Sequence, residues 1–300
     1  MKVATVQMAL RSNRLEDVRQ TLCGWAARAK DHEVDLVVFP AYTGLFALEA
    51  LSGSSWSFGP GLPDLIGRYG ALLVEFLEDW GRETACRLGL HLAAGTVLVP
   101  EGKGIAHQAL LFGPDGRVFR QAQTHVSKHE REWGLLPGDD LEVFKVRGVN
   151  TGLVVATDVW FPEVGRILTL KSASLLLAFT AMPRPYGHWR QMAGMWQQVQ
   201  QNQVFCAESC LIGSLGNEKF AGRSSLYGPC EITDGETGII EQLQAPDQEG
   251  LLIASFDFEA LARIREEYPI HRHFNRRLYQ SAFPGVYRNL LFPATSGQSS

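Results

Sequence analysis

With 300 residues, 45% of them hydrophobic, the chain holds enough apolar surface for one large α/β core or two small ones. Charged residues make up 20% and the formal net charge is -4, so no basic field is present to hold nucleic acid or an anionic membrane surface. No apolar run approaches the roughly 18 residues that span a bilayer, and residues 1–8 lack the features of a signal peptide, so a soluble, cytoplasmic protein is expected.

Short β-type runs alternate with amphipathic helical runs along the whole chain, the pattern of a layered α/β domain. Residues 3–8 read as a strand, and Asn13 is expected to cap a helix that carries Leu15, Val18 and Leu22 on one face. Residues 34–39 form a buried strand. Residues 65–88 form a long helix whose Tyr69, Leu73, Phe76, Leu77 and Trp80 recur at helical spacing and belong to the core. A strand over 91–99 leads to a hairpin, 106–112 and 118–124, around Gly113-Pro114-Asp115-Gly116. A second pair comes next, 141–146 and 153–157.

The second half reads as helix 162–172, strand 175–179, helix 188–202, strand 204–214, strands 224–232, 239–243 and 251–256, and a short helix 258–267. No linker rich in Pro, Gly or Ser divides the chain, so residues 1–293 are expected to form one domain. Within it, residues 268–293 are apolar with little periodicity and are expected to pack on a partner subunit; residues 294–300 are expected to be a disordered tail. The five cysteines, Cys23, Cys86, Cys206, Cys210 and Cys230, form no C-x-x-C pair and read as small apolar residues, with Cys206 and Cys210 on one strand face. The spacing of His125, His129, His188, His271 and His273 fits no metal site, and no cofactor motif is present.

Three segments taken in order, Leu36-Val37-Val38-Phe39-Pro40, Thr124-His125 with Pro137-Gly138, and Asp158 with Phe161-Pro162-Glu163, resemble the nitrilase, or carbon-nitrogen hydrolase, superfamily. Residues 189–205 with Asn202, residues 220–229 and residues 263–272 resemble later family segments, so the likeness spans essentially the whole chain. It implies an α/β fold, a nitrilase-like α-β-β-α sandwich that pairs as an αββα-αββα dimer, and hence a homodimer or larger homo-oligomer.

The family chemistry needs a Glu to take a thiol proton, a Cys whose thiolate attacks an amide or nitrile carbon, and a Lys to stabilise the resulting anion. At the matching positions stand Ala41, Ala156 and Gln123, two methyl groups and a neutral amide. The resemblance therefore implies a degenerate triad and a catalytically inactive homologue that binds a small neutral molecule or serves as a regulatory or partner subunit. Tyr42, Gln123, Glu132, Thr157 and Trp160 are the expected ligand contacts, with Glu130 a rival to Glu132 for the family's second glutamate. Trp160 stands where the family commonly has Arg, and Gln201 where it has Glu. Whether the space between the three positions is open or filled is not legible from sequence. The alternative is an amidase-like hydrolase or a transferase with other groups, for which Cys206 or Cys210 beside Glu208 is the candidate set. A third reading is a structural partner of an active homologue.

Overall fold

The computed structural model of the chain describes residues 1–9 and 12–288. The first half runs β1 (Lys2–Gln7), α1 (Leu15–Asp31), β2 (Leu36–Val38), α2 (Leu48–Ser52), α3 (Leu62–Leu88), β3 (His91–Glu101), β4 (Gly104–Phe112) and β5 (Val118–Ala122). The second runs α4 (Lys128–Glu132), β6 (Val143–Val146), β7 (Val149–Val155), α5 (Pro162–Leu170), β8 (Leu175–Thr180), α6 (His188–Met192), α7 (Met195–Asn202), β9 (Phe205–Cys210), a small hairpin of β10 (Gly213–Leu215) and β11 (Glu218–Phe220), then β12 (Ser225–Tyr227), β13 (Ile239–Gln242), β14 (Gly250–Ser255), α8 (Phe258–Glu267) and α9 (Arg276–Arg288).

Two six-stranded sheets result, in the orders β14-β1-β2-β3-β4-β5 and β13-β12-β9-β8-β7-β6. Each is parallel at its centre, β1-β2-β3 in one and β7-β8-β9 in the other, and antiparallel at its edges. Strands buried on both faces must be apolar throughout, and β8 is buried at every residue. The sheets pack face to face, β1 against β9 and β3 against β8, around a core that includes Val3, Leu36, Val38, Leu177, Phe179 and Ala207. α3 covers β3 and β4, while α5 and α7 lie on β7 and β9 over a second core of Leu176, Cys206, Met195, Val199 and Tyr227. This is the expected α-β-β-α sandwich.

Several expected boundaries move. Asn13 caps nothing: Arg14 is the residue before α1 and its side chain makes no capping bond. The helix expected over 188–202 is two, broken where Gly194 leaves the helical region at ψ -110. The strand expected over 204–214 stops at Cys210, and only Ser225–Tyr227 of 224–232 pairs, because Cys230–Ile232 turns as a 3-10 helix. The apolar segment after Glu267 has helical periodicity after all, in α9, which presents Leu278, Tyr279, Phe283 and Tyr287 to solvent. Its end, residues 289–293, and the tail expected to be disordered, residues 294–300, lie outside the described residues. Among the described residues no helix is long and apolar enough to cross a membrane, and no three His, Cys, Asp or Glu side chains gather as a metal site.

Candidate functional site

The carboxyl ends of β2, β7 and β8 point to one end of the sandwich, the place where loops of α/β proteins meet ligands. After β2 the chain crosses close to β3, where a bulge places Gly95 at φ 83; a Cβ there would stand 2.3 Å from Pro40 O and Thr43 Oγ1. That close approach turns Ala41 into the interior, fully buried, and puts Tyr42 at φ 61 with its ring at the wall of a cavity. β7 ends in a sharp turn in which Ala156 holds φ 47, a left-handed conformation that costs a non-glycine residue roughly 1–2 kcal/mol. The turn lifts the Ala156 methyl and Thr157 into the same cavity.

The cavity measures about 450 Å³ and is open. Trp133, Trp160, Met182 and Phe220 supply apolar wall; Ser127, Thr157, Glu130, Glu218 and Arg190 supply polar groups. Trp160 stands at the rim, 37% exposed, and leaves the space unfilled. None of the five cysteines lines it.

A hydrogen-bonded chain runs behind the wall. The Tyr42 backbone N–H donates to Thr96 Oγ1 at 2.6 Å, and Thr96 is bonded in turn to His107 Nε2. His107 Nδ1 meets Gln123 Oε1 at 2.7 Å; since that oxygen only accepts, the imidazole proton sits on Nδ1 and Nε2 accepts from Thr96. Burial lowers the His107 pKa, which keeps the ring neutral, and it stacks on Tyr42 with centroids 4.5 Å apart. Gln123 Nε2 donates to His125 O at 2.7 Å and to Glu130 Oε1 at 3.0 Å. Glu130 Oε2 accepts from Ser127 N and from Thr157 Oγ1, both at 2.7 Å, which reaches the turn beside Ala156. Asp158, fully buried, accepts from the backbone N–H groups of Thr124 and His125, at distances of 2.7–3.1 Å, and so ties the Gln123 strand to the Ala156 turn.

The chain of hydrogen bonds links Tyr42, next to Ala41, through Thr96, His107, Gln123 and Glu130 to Thr157, next to Ala156; of the three positions Ala156 alone lines the cavity, where Tyr42, Thr157 and Trp160 also stand. Two expected placements change. Gln123 does not line it, because its amide is engaged by His107, His125 and Glu130. Glu132 points away, its side chain 53% exposed beside Lys128 and His129, whereas Glu130 is buried at the wall. Cys206 and Cys210 do share a face with Glu208, but that face looks at the helical layer, and burial pushes both thiols well up, so neither is a ready thiolate. Cys210 Sγ sits 3.1 Å from Thr180 Oγ1, one side chain behind the cavity wall. Sequence reasoning missed His107, Arg190 and Glu218, because nothing along the chain says that a strand histidine bridges two distant segments or that two surface-type charges border one cavity.

Residues 2–266 match the profile of the carbon-nitrogen hydrolases. A probable hydrolase of Bacillus subtilis (strain 168) is 24% identical over 213 residues, 68% of this chain and 41% of the relative, so the chain spans less than half of that protein. An (R)-stereoselective amidase of a Pseudomonas species is 27% identical over 308 residues, 98% of this chain and 100% of the amidase. Among solved structures, a double mutant of the amidase from Nesterenkonia sp. AN1, in complex with acrylamide, is similar with a TM-score of 0.70 at 23% identity, covering 91% of this chain and 96% of its own. These relatives are named hydrolases and amidases, which favours the carbon-nitrogen hydrolase alternative over the expected non-catalytic subunit.

Proposed function

Because the chain belongs to the carbon-nitrogen hydrolase family, we propose that the cavity over Ala156 receives a small, amide-bearing molecule and does not cleave it through a cysteine thiolate. The observation that carries this reading is the Ala156 turn: it keeps the strained φ of 47 and faces an open cavity of about 450 Å³, yet presents a methyl group and no thiol. A methyl group cannot attack a carbonyl carbon, and the neutral Gln123 amide cannot stabilise the anion as a lysine does.

Amide recognition is supported by Glu130. An ionised carboxylate offers about four acceptor sites; Gln123 Nε2, Ser127 N and Thr157 Oγ1 occupy three of them, leaving one at the wall for a ligand N–H. The Nesterenkonia protein that holds acrylamide is one whose cysteine is replaced by alanine and whose glutamate is replaced by glutamine, so in that amidase binding outlasts both replacements. Pairing into a homodimer or larger homo-oligomer belongs to the same reading, supported by the exposed apolar side chains of α9 and by Trp189, 80% exposed. So do a single-domain organisation and a cytoplasmic location, the latter supported by five free cysteines.

A second reading is favoured by the names of the relatives and by one contact: Thr157 Oγ1 donates to Glu130 Oε2 at 2.7 Å on the cavity wall, a hydroxyl beside a carboxylate base. In it Glu130 takes the hydroxyl proton while Thr157 Oγ1 attacks the amide carbon; the C–N bond then breaks as Glu130 returns that proton to the departing ammonia, and water hydrolyses the threonine ester to free the acid. Ammonia release from short amides separates the two. We expect none above the protein-free rate. Release that persists after cysteine alkylation and vanishes in Thr157→Val would replace the first reading with the second, and release abolished by alkylation would sink both.

A further inference from the structure

Away from the cavity, and sharing none of its residues, a recess of about 310 Å³ lies between the end of α5, the residue after α7 and the turn after α8. Gln203, Arg265, His271 and Arg272 line it together with Thr169 and Ser172. Arg166, on α5 one turn before Thr169, does not line the recess but is near enough to His271 to lower its pKa; its Nη2 donates to Gln201 O at 3.0 Å and its guanidinium carbon lies 4.7 Å from the centre of the Phe274 ring.

No acidic side chain lines this recess. Among the described residues, none of the ion pairs involves Arg166, Arg265 or Arg272. Positions 10, 11 and 289–300 contain no Asp or Glu either. Arg265 is held by neutral oxygens only, Gln203 O and Ser174 Oγ at 2.9 Å and Ala173 O at 3.4 Å, so its geometry is fixed while its charge is not balanced. Burial pushes the pKa of Arg265 and of Arg166 down with no carboxylate opposing it, and His271 is lowered by burial and by both arginines. Three buried polar atoms also lack a partner: Gln203 Nε2, His271 Nε2 and Arg166 Nη1. Gln203 is itself only 3% exposed.

Half-buried guanidinium groups without a counter-charge, next to buried polar atoms without partners, are costly unless an anion completes them. We infer that this recess is a binding site for a small, multiply charged oxyanion of the phosphate type. Arg265 presents a preset guanidinium, Arg272 closes the open side, and Gln203 Nε2 donates from the floor. The volume admits a phosphoryl group together with its nearest substituents.

The test is calorimetric titration of the full chain with inorganic phosphate at fixed ionic strength, with sulfate and succinate as further arms. Arg265→Gln removes three bonds to the fold, so the informative variants are Arg272→Gln, an exposed position, and Arg166→Gln. We expect one site per chain, and about tenfold weaker binding in each variant. The anion-free melting temperature of Arg272→Gln should stay that of the parent. Tighter binding of succinate than of phosphate would reassign the ligand to a dicarboxylate and overturn the phosphate-type claim. Absence of binding, equal affinity in parent and variants, or an affinity that falls as the chain self-associates would overturn the site, the last because a second copy then covers the recess.

Discussion

The strain at Ala156 is informative at the scale of single residues. A left-handed alanine is retained where glycine would adopt the same φ of 47 without the Cβ clash, while glycine loses more backbone freedom on folding. The two effects oppose, and the first is the larger, so Ala156→Gly should stabilise the fold by up to about 1 kcal/mol; urea denaturation reads this, and a loss of stability contradicts it. Gln123 behaves oppositely. Gln123→Leu keeps the volume but strands His107 Nδ1–H, His125 O and one Glu130 oxygen, and should cost about 2 to 4 kcal/mol. A cost below about 1 kcal/mol would mean that water replaces the amide. The three central positions were expected from flanking residues that resemble the family's, and the structure sets Ala156 in the cavity wall and Gln123 behind it. The choice between Glu130 and Glu132 was not: two positions apart on α4 means about 200° of rotation, and only the packing of that helix decides which one turns inward.

At the scale of elements, β9 shows what periodicity can and cannot give. Alternation placed Cys206, Glu208 and Cys210 on one face, and they are on one face; which layer that face meets is set by the order of strands and by α6 and α7, which no local pattern records. There Glu208 is wholly buried and accepts from Gln191 Nε2 at 2.9 Å and from Tyr227 OH at 3.0 Å. Burial outweighs these bonds and raises its pKa from 4.5 to about 7. The folded chain therefore holds this proton more tightly than the unfolded chain. The stabilisation is full below pH 4.5, declines as pH rises toward 7 and is lost above it. Its span is on the order of 3 kcal/mol. Glu208→Gln should remove that slope, so that its stability relative to the parent rises between pH 5 and pH 8 in paired urea titrations. A difference between parent and variant that is the same at both pH values contradicts the assignment. Helix ends and breaks, such as the one at Gly194, were the least legible elements, because a backbone turn there is fixed by contacts with distant segments.

For the whole molecule, α9 and its neighbours leave Tyr268, Leu278, Phe283, Val286 and Tyr287 in solvent, a concentration of large apolar groups that lowers the solubility of a monomer. Sedimentation should find a dimer or larger assembly, and truncation after Glu267 should shift it toward monomer; a full-length monomer at micromolar concentration contradicts the proposed pairing. The layered α/β class was legible from the alternating strand and helix runs and the sandwich from the resemblance to the family, whereas the open cavity was not legible, because side-chain direction at Trp160 and Gln123 is a tertiary outcome. The proposed function requires that the turn at Ala156, which carries no nucleophile of its own, still serve a binding cavity. Calorimetric titration of the full chain with butyramide tests it most directly, with Ala156→Trp as the variant that fills the space. Saturable, one-to-one binding is expected, lost in Ala156→Trp while that variant stays folded; no binding, or binding that Ala156→Trp leaves intact, would contradict the proposed function.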